Sequence, residues 1–268
     1  MILTKKSIIK IALIVAAYWV LGGGCIALGL LFRSIGFVGD GALLWLGGIA
    51  LGVGVLLIFW GRYAEGEGIL VNSGNRWIRK ELKPAEFIRQ YENLQSSKSL
   101  VVNRPSVNVL YLLVLAYDCL NEKEKTMAAA DAMIAVAGKK KKAFANLIKV
   151  SILFSEGETE EAEALFAEVQ KQKLNFLCRT LVDSIVKSDR AMAMGDYKLV
   201  EAYNLGLLSR SFPKLDPLGT VLVHYQLGEI YEKLEDKEKA LPYYRYCVEN
   251  GGELALRMAA AEAIERLQ

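Results

Sequence analysis

The sequence predicts an all-α protein: an N-terminal membrane-spanning helical hairpin (residues 1–62), a juxtamembrane segment (63–105), and stacked helix–turn–helix repeats (106–268). Three observations predict this. Ile11 to Phe32 and Gly41 to Gly61 are apolar and uncharged, and about 20 such residues at 1.5 Å rise cross a hydrocarbon core of roughly 30 Å. From Ser106 onward apolar residues recur three and four apart, without the alternation of a strand. Chain-breaking residues near Asn121, Gly157, Gly195 and Glu235 fall at successive spacings of 36, 38 and 40, the mark of a helical-hairpin array.

In the first hairpin only a helix satisfies its own backbone groups in lipid. The link Arg33 to Asp40 carries Gly36 and Gly39 and is short, so the two helices should be antiparallel. A secretory signal is excluded by the length of the apolar run. A lipoprotein cleavage site at Leu21-Gly22-Gly23-Gly24-Cys25 has its leucine four residues before the cysteine rather than the usual three. Gly23 with Ala27, and Gly48 with Gly52, are small-x-x-x-small pairs expected to bring helices together. Trp19, Trp45 and Trp60 are aromatic anchors in type. Cations before the first span (Lys5, Lys6, Lys10) and after the second (Arg62, Arg76, Arg79, Lys80, Lys83) predict both termini in the cytoplasm, with the protein integral to a plasma membrane of bacterial type.

Residues 63–75 are Gly-rich and polar and read as a connector, with a short extended piece at Ile69-Leu70-Val71. Arg76, Arg79 and Lys80 beside Trp77 could bind anionic headgroups or simply open a solvated helix. Pro84 suits the first turn of a helix reaching Gln95, with Phe87, Ile88, Tyr91 and Leu94 on one face.

The repeat region reads as eight helices and a closing one. Ser106 caps the first, to Leu120, and Lys125–Val136 follows. The run Gly138 to Lys142 breaks the chain, as a solvated loop or a site for an anionic partner. Ala143–Phe154, Glu160–Gln172, Leu174–Met194 and Lys198–Ser209 come next. Asp216 caps a seventh helix with Pro217 at its first position, and Asp236 caps the eighth. Interior Pro242 should bend that helix. Gly251-Gly252 stops it, and Glu253–Leu267 closes the chain.

Leu227-Gly228-x-x-Tyr231, Ala240, Tyr244 and Cys247 stand at the spacing of a tetratricopeptide repeat, which residues 106–254 resemble. His224 stands where that motif usually has Trp, and Gly252 where it usually has Pro. Gly157 with Ala162 and Phe166, Gly195-Asp196-Tyr197, and Tyr117 keep parts of the pattern in earlier hairpins. The resemblance implies a right-handed α-α superhelix whose concave groove binds a peptide or protein. In the clearest repeat Leu222, Tyr225, Glu229 and Lys233 would form the partner groove, and they do not make a clamp for a chain-end carboxylate.

No catalytic or cofactor pattern stands out, and no enzyme or cofactor is expected. One histidine cannot make a His-Glu-x-x-His zinc site, and the glycines lack phosphate-loop spacing. Cys25, Cys119, Cys178 and Cys247 form no C-x-x-C and read as buried thiols. The acidic run Glu158, Glu160, Glu161, Glu163 opens a helix, where negative charge suits the dipole. Lys5, Lys6, Lys10, Arg33 and Arg62 stand against Asp40 alone, so residues 1–62 are +4; with +3 for the whole chain, residues 63–268 come to −1. That balance excludes a typical nucleic-acid binder. The expected function is a membrane-anchored adaptor or scaffold for an unknown protein or peptide partner. The alternative is a structural subunit assembled through the Gly-rich hairpin.

Overall fold

The computed structural model describes residues 16–23, 25–27, 40–96, 105–211 and 213–268; within the first long helix the side chains of 40–44, 47 and 56–65 lie outside the description. The described residues are helical, with no strand among them. Two compact units divide the chain, Met1–Ile69 and Leu70–Gln268.

In the first unit residues 16–23 and 25–27 are helical, and α1 spans Asp40–Gly74. The expected span 11–32 falls partly outside the described residues, at 11–15, 24 and 28–32. Among the described residues no helix is long and apolar enough to cross a membrane. Among the described residues no helix packs against the expected positions Gly23, Ala27, Gly48 and Gly52. Ala27 is exposed, and a Cβ on Gly23, Gly48 or Gly52 would meet nothing within 4 Å. The close approach is at Gly54, where a Cβ would lie 3.1 Å from that of Tyr18. Six residues at 100° each carry Gly54 away from the face of Gly48.

The predicted connector at 63–75 is helical, not extended. Gly66, Gly68 and Gly74 each cost about 1 kcal/mol in a helix, but packing offsets this. Leu70 is fully buried, and Gly74 lies so close to Phe87 and Leu112 that a Cβ would sit 2.7 Å from Leu112 Cδ1. A π-helical turn Asn75–Lys80 follows, then α2 (Pro84–Ser96), which buries Phe87 and Ile88.

The repeats are α3 (Val107–Cys119) with α4 (Lys123–Val136); α5 (Lys139–Ser155) with α6 (Thr159–Gln170); α7 (Phe176–Ile185), extended by the π-helical turn Val186–Arg190 and Ala191–Ala193, with α8 (Tyr197–Ser209); and α9 (Pro217–Lys233) with α10 (Lys237–Asn250). Helix α11 (Ala255–Leu267) packs on α10. Helix α10 continues through Pro242.

One turn is built four times. Asn121, Gly157, Gly195 and Glu235 all have positive φ, at 57°, 83°, 76° and 59°. The residue after each, Glu122, Glu158, Asp196 and Asp236, donates its N–H across the turn to Tyr117, Leu153, Ala191 and Tyr231, five residues back. That bond is the mark of a Schellman ending. The same acidic residue is the N-cap of the next helix. The register continues on both sides. Five residues after the turn, Thr126, Ala162, Val200 and Ala240 are buried; nine after it, Ala130, Phe166, Asn204 and Tyr244 are buried.

The lysine run does not break the chain. Gly138 is the N-cap, and Lys139 to Lys142 form the first turn of α5. Lysine is a good helix former, and all four are exposed while Ala143 and Ala145 face inward.

The cations after α1 are also partly committed. Arg79 donates to Asp216 Oδ2 at 2.9 Å and to the Tyr111 hydroxyl at 2.8 Å. It ties the π-turn to the first and the last hairpin, which an anionic headgroup would have to displace. Arg76 pairs with Glu81 at 2.6 Å on the surface, and Lys80 is exposed. Glu253 N–H donates to Leu82 O at 3.0 Å on the same side.

Candidate functional site: a cavity on the first helices of the hairpins

The fourth hairpin packs as its sequence suggests. A Cβ on Gly228 would lie 2.8 Å from the Tyr244 ring, so only glycine lets α9 and α10 approach this closely. Leu227, Tyr231, Ala240, Tyr244 and Cys247 are all buried. Tyr244 donates to Glu232 at 2.6 Å, Tyr231 donates to Glu201 of α8 at 2.5 Å, and the Cys247 thiol donates to Val221 O at 3.5 Å. His224 stacks on Tyr246, with centroids 3.7 Å apart. Burial lowers its pKa and so favours the neutral imidazole.

A cavity of about 600 Å³ opens among the first helices of the four hairpins, α8 and α11. Its size falls in the range of small-ligand pockets. Of the four residues expected to form the groove, Leu222, Tyr225 and Glu229 line it. Lys233 does not; it is exposed, one helical turn beyond Glu229. Four residues rotate it only about 40° from Glu229, and its charge opposes the rise of the Glu229 pKa from outside the lining.

The structure adds residues that local reasoning missed. Asp118 comes from α3, Ser151 from α5, Ser188 and Asp189 from the π-turn of α7, Asn204 from α8, and Gln226 from α9. Ser151 donates to Asp189 Oδ2 at 2.5 Å. Ser188 and Asn204 both donate to Gln226 Oε1, at 3.3 and 3.1 Å. Asn204 is only 1% exposed, and its Oδ1 has no hydrogen-bond partner.

A sequence signal for part of this wall did exist. Ser151, Asp189 and Glu229 each stand six residues before the positive-φ residue of their hairpin. They form one polar register column in helices that are otherwise apolar inside. Asp189 sits on a π-turn, a deviation that often accompanies functional sites.

The wall is electrostatically one-sided. Burial pushes the Glu229 carboxyl up to about 7, with Glu232 adding to it. Burial pushes Asp189 to about 6, Asp118 adding and the serine hydrogen bonds opposing. Asp118 is raised too, by desolvation and Glu156; its side chain is open to solvent, which screens the effect. Tyr225 is pushed to about 12 by burial and by Glu229. Lysine, arginine and histidine are absent from the described lining. Desolvation favours the protonated form of these carboxyls, and a cation beside them would favour the ionised one. They lack the metal-ligand grouping: among the described residues no cluster of three His, Cys, Asp or Glu could hold a metal ion.

Comparison with known proteins supplies one finding. No curated protein and no solved structure matches the chain. Residues 222–250, most of α9 and all of α10, match the family described as Tetratricopeptide repeat. With the same turn built in all four hairpins, the match supports a helical-repeat protein of tetratricopeptide-like kind and indicates a role in protein–protein interaction.

Proposed function

We propose that this chain is a non-catalytic adaptor that holds a protein partner at a membrane. The observation that carries the reading is the cavity, which lies on one register face of a unit whose last hairpin matches a tetratricopeptide repeat. Helical-repeat units use such faces to bind. The hairpins stack as a right-handed superhelix, and Leu222, Tyr225 and Glu229 contact the partner. Residues 1–62 anchor the chain in the plasma membrane with both termini in the cytoplasm. Two supports bear on the anchor: the uncharged stretches 11–32 and 41–61, and the apolar surface of the first unit, where Trp19, Leu21, Trp45 and Ile49 are 57–76% exposed. Large apolar side chains left this exposed are suited to lipid or protein cover. Crosslinking in native membranes, followed by identification of what is attached, tests the reading. A specific protein partner is expected; recovery of the chain alone sinks it.

A second reading has one observation in its favour. The exposed face of Gly48 and Gly52 is free of contacts among the described residues and could seat another membrane helix. The chain would then be a structural subunit, and deletion of residues 1–62 would abolish partner recovery. In the adaptor reading the deletion leaves it intact.

A further inference from the structure

We propose that the cavity receives a lysine or arginine side chain presented by a segment of the partner protein. The proposal rests on the protein-binding reading and adds the chemistry of what is bound.

Among the described residues twenty-two line the cavity, Asp118, Asp189 and Glu229 among them, with no cationic side chain in that lining; Lys233 offsets Glu229 only from outside it. None of the three carboxylates makes an ion pair among the described residues. Asn204 is an independent pointer. At its register position the sister hairpins carry Ala130, Phe166 and Tyr244, which pack the core. Here an amide takes the slot, almost fully buried, with its oxygen unpaired on the cavity wall. Buried acceptors are nearly always hydrogen-bonded, so an orphan calls for a donor. Ser188 repeats the substitution seven residues before the turn, where Val114, Val150 and Gly228 stand elsewhere. A core position turned polar against its own pattern is where function overrides packing.

A donor satisfies the Asn204 oxygen, and a cationic donor also draws Asp189 and Glu229 into their ionised form. Ammonium offers three N–H donors and guanidinium five, with no acceptor on either. Both carry an aliphatic stem that packs on apolar surface, and Leu222, Val223 and Leu256 supply that surface beside the acids. Burial raises Asp189 and Glu229 although hydroxyl groups donate to both; a cation bound at either one lowers that cost.

The test uses the full chain in detergent and fluorescein-labelled twelve-residue peptides, four repeats of Gly-Leu-Xaa with Xaa as Lys, Arg, Gln or Glu, read by fluorescence anisotropy. The Lys and Arg peptides are expected to bind, the Gln peptide about tenfold more weakly, and the Glu peptide not at all, as charge-assisted bonds in a desolvated site imply. Asp189→Asn and Glu229→Gln each weaken the Lys and Arg peptides about tenfold. Both are isosteric, and unchanged or higher thermal stability shows that the fold persists. Glu160→Gln with Glu161→Gln, at the start of α6 outside the cavity, leaves binding unchanged. The proposal is overturned by equal binding of the Gln peptide, by indifference to the two cavity variants, by absence of any peptide binding, or by spermine binding where peptides do not. A partner crosslinked through a segment without Lys or Arg also overturns it and leaves the adaptor reading standing; failure to capture any partner removes the adaptor reading instead.

Discussion

At Gly228 the contact with the Tyr244 ring leaves no room for even a methyl group. Tyr244 is fully buried and hydrogen-bonded to Glu232, so it cannot swing aside without losing that bond. Gly228→Val should destabilise the repeat unit by about 1–3 kcal/mol, the usual cost of overpacking, read as a lower urea midpoint. Glu235 presents the opposite case. It holds φ 59° without being glycine, and the left-handed region costs a side-chain-bearing residue about 1–2 kcal/mol. Glu235→Gly should therefore raise stability by about 0.5–1 kcal/mol, read as a higher midpoint. Gly157→Val, at φ 83°, should lower it by more than that.

The cavity acids make stability depend on pH, with a definite sign. Asp189 and Glu229 have folded-state pKa values raised to about 6 and about 7, whereas in the unfolded chain they ionise near 4. Between about pH 4 and 7 the folded state binds more protons than the unfolded state, so stability falls as pH rises through that window. It is highest below the window, and the loss is complete above pH 7. Other groups titrate as well, so the informative quantity is a difference. The wild-type chain should lose melting temperature from pH 5 to pH 8 relative to Asp189→Asn and Glu229→Gln. Parallel profiles for wild type and both variants would show that the two acids are not desolvated.

At the scale of elements, the recurring unit is a helix end and the next helix start fused into one turn. The left-handed residue satisfies the last carbonyls of one helix, and the acidic residue after it opens the next. Asp196 and Asp236 accept from the N–H groups of Leu199 and Lys239, at 3.2 Å each. Asp216 does this and more. It accepts from Gly219 N–H at 2.7 Å and from Arg79 at 2.9 Å, so one carboxylate starts α9 and fastens the π-turn Asn75–Lys80 to it. Asp216→Asn keeps the cap and loses the charge; Asp216→Ala loses both. The alanine variant should cost about 1 kcal/mol more than the asparagine variant, the worth of a side-chain cap. Equal losses would mean that the cap contributes nothing beyond the ion pair.

On the scale of the whole molecule the two units differ in what they leave on their surfaces. The repeat unit buries its apolar residues in columns set by the turn register, whereas the first unit leaves large apolar residues on its surface. The anchoring proposal predicts that the full chain stays with the membrane pellet after alkaline carbonate extraction, and that a chain lacking residues 1–62 is released. Release of the full chain would refute the anchor. A cysteine replacing exposed Lys80 should react with an impermeant maleimide only when the cytoplasmic face is open, as two cytoplasmic termini require.

The sequence by itself determined the helical class, the four turns and the packing of the last hairpin. Each depends on residues close together in the chain: a left-handed position beside an acid, or a glycine and a tyrosine in facing turns of one hairpin. Local reading failed where distant packing outweighed local preference. Glycines at 66, 68 and 74 suggested a connector, yet Leu70 is buried, Gly74 lies against α2 and α3, and the backbone stays helical. The lysine run suggested a break, yet alanines on the opposite face hold it in α5. The tertiary structure alone decided the cavity. Asp118, Asp189, Asn204 and Glu229 come from four different helices. The turn register marks Asp189 and Glu229 as polar, but not that they share one wall with Asp118 and Asn204, because that wall exists only once the hairpins have stacked and excluded water.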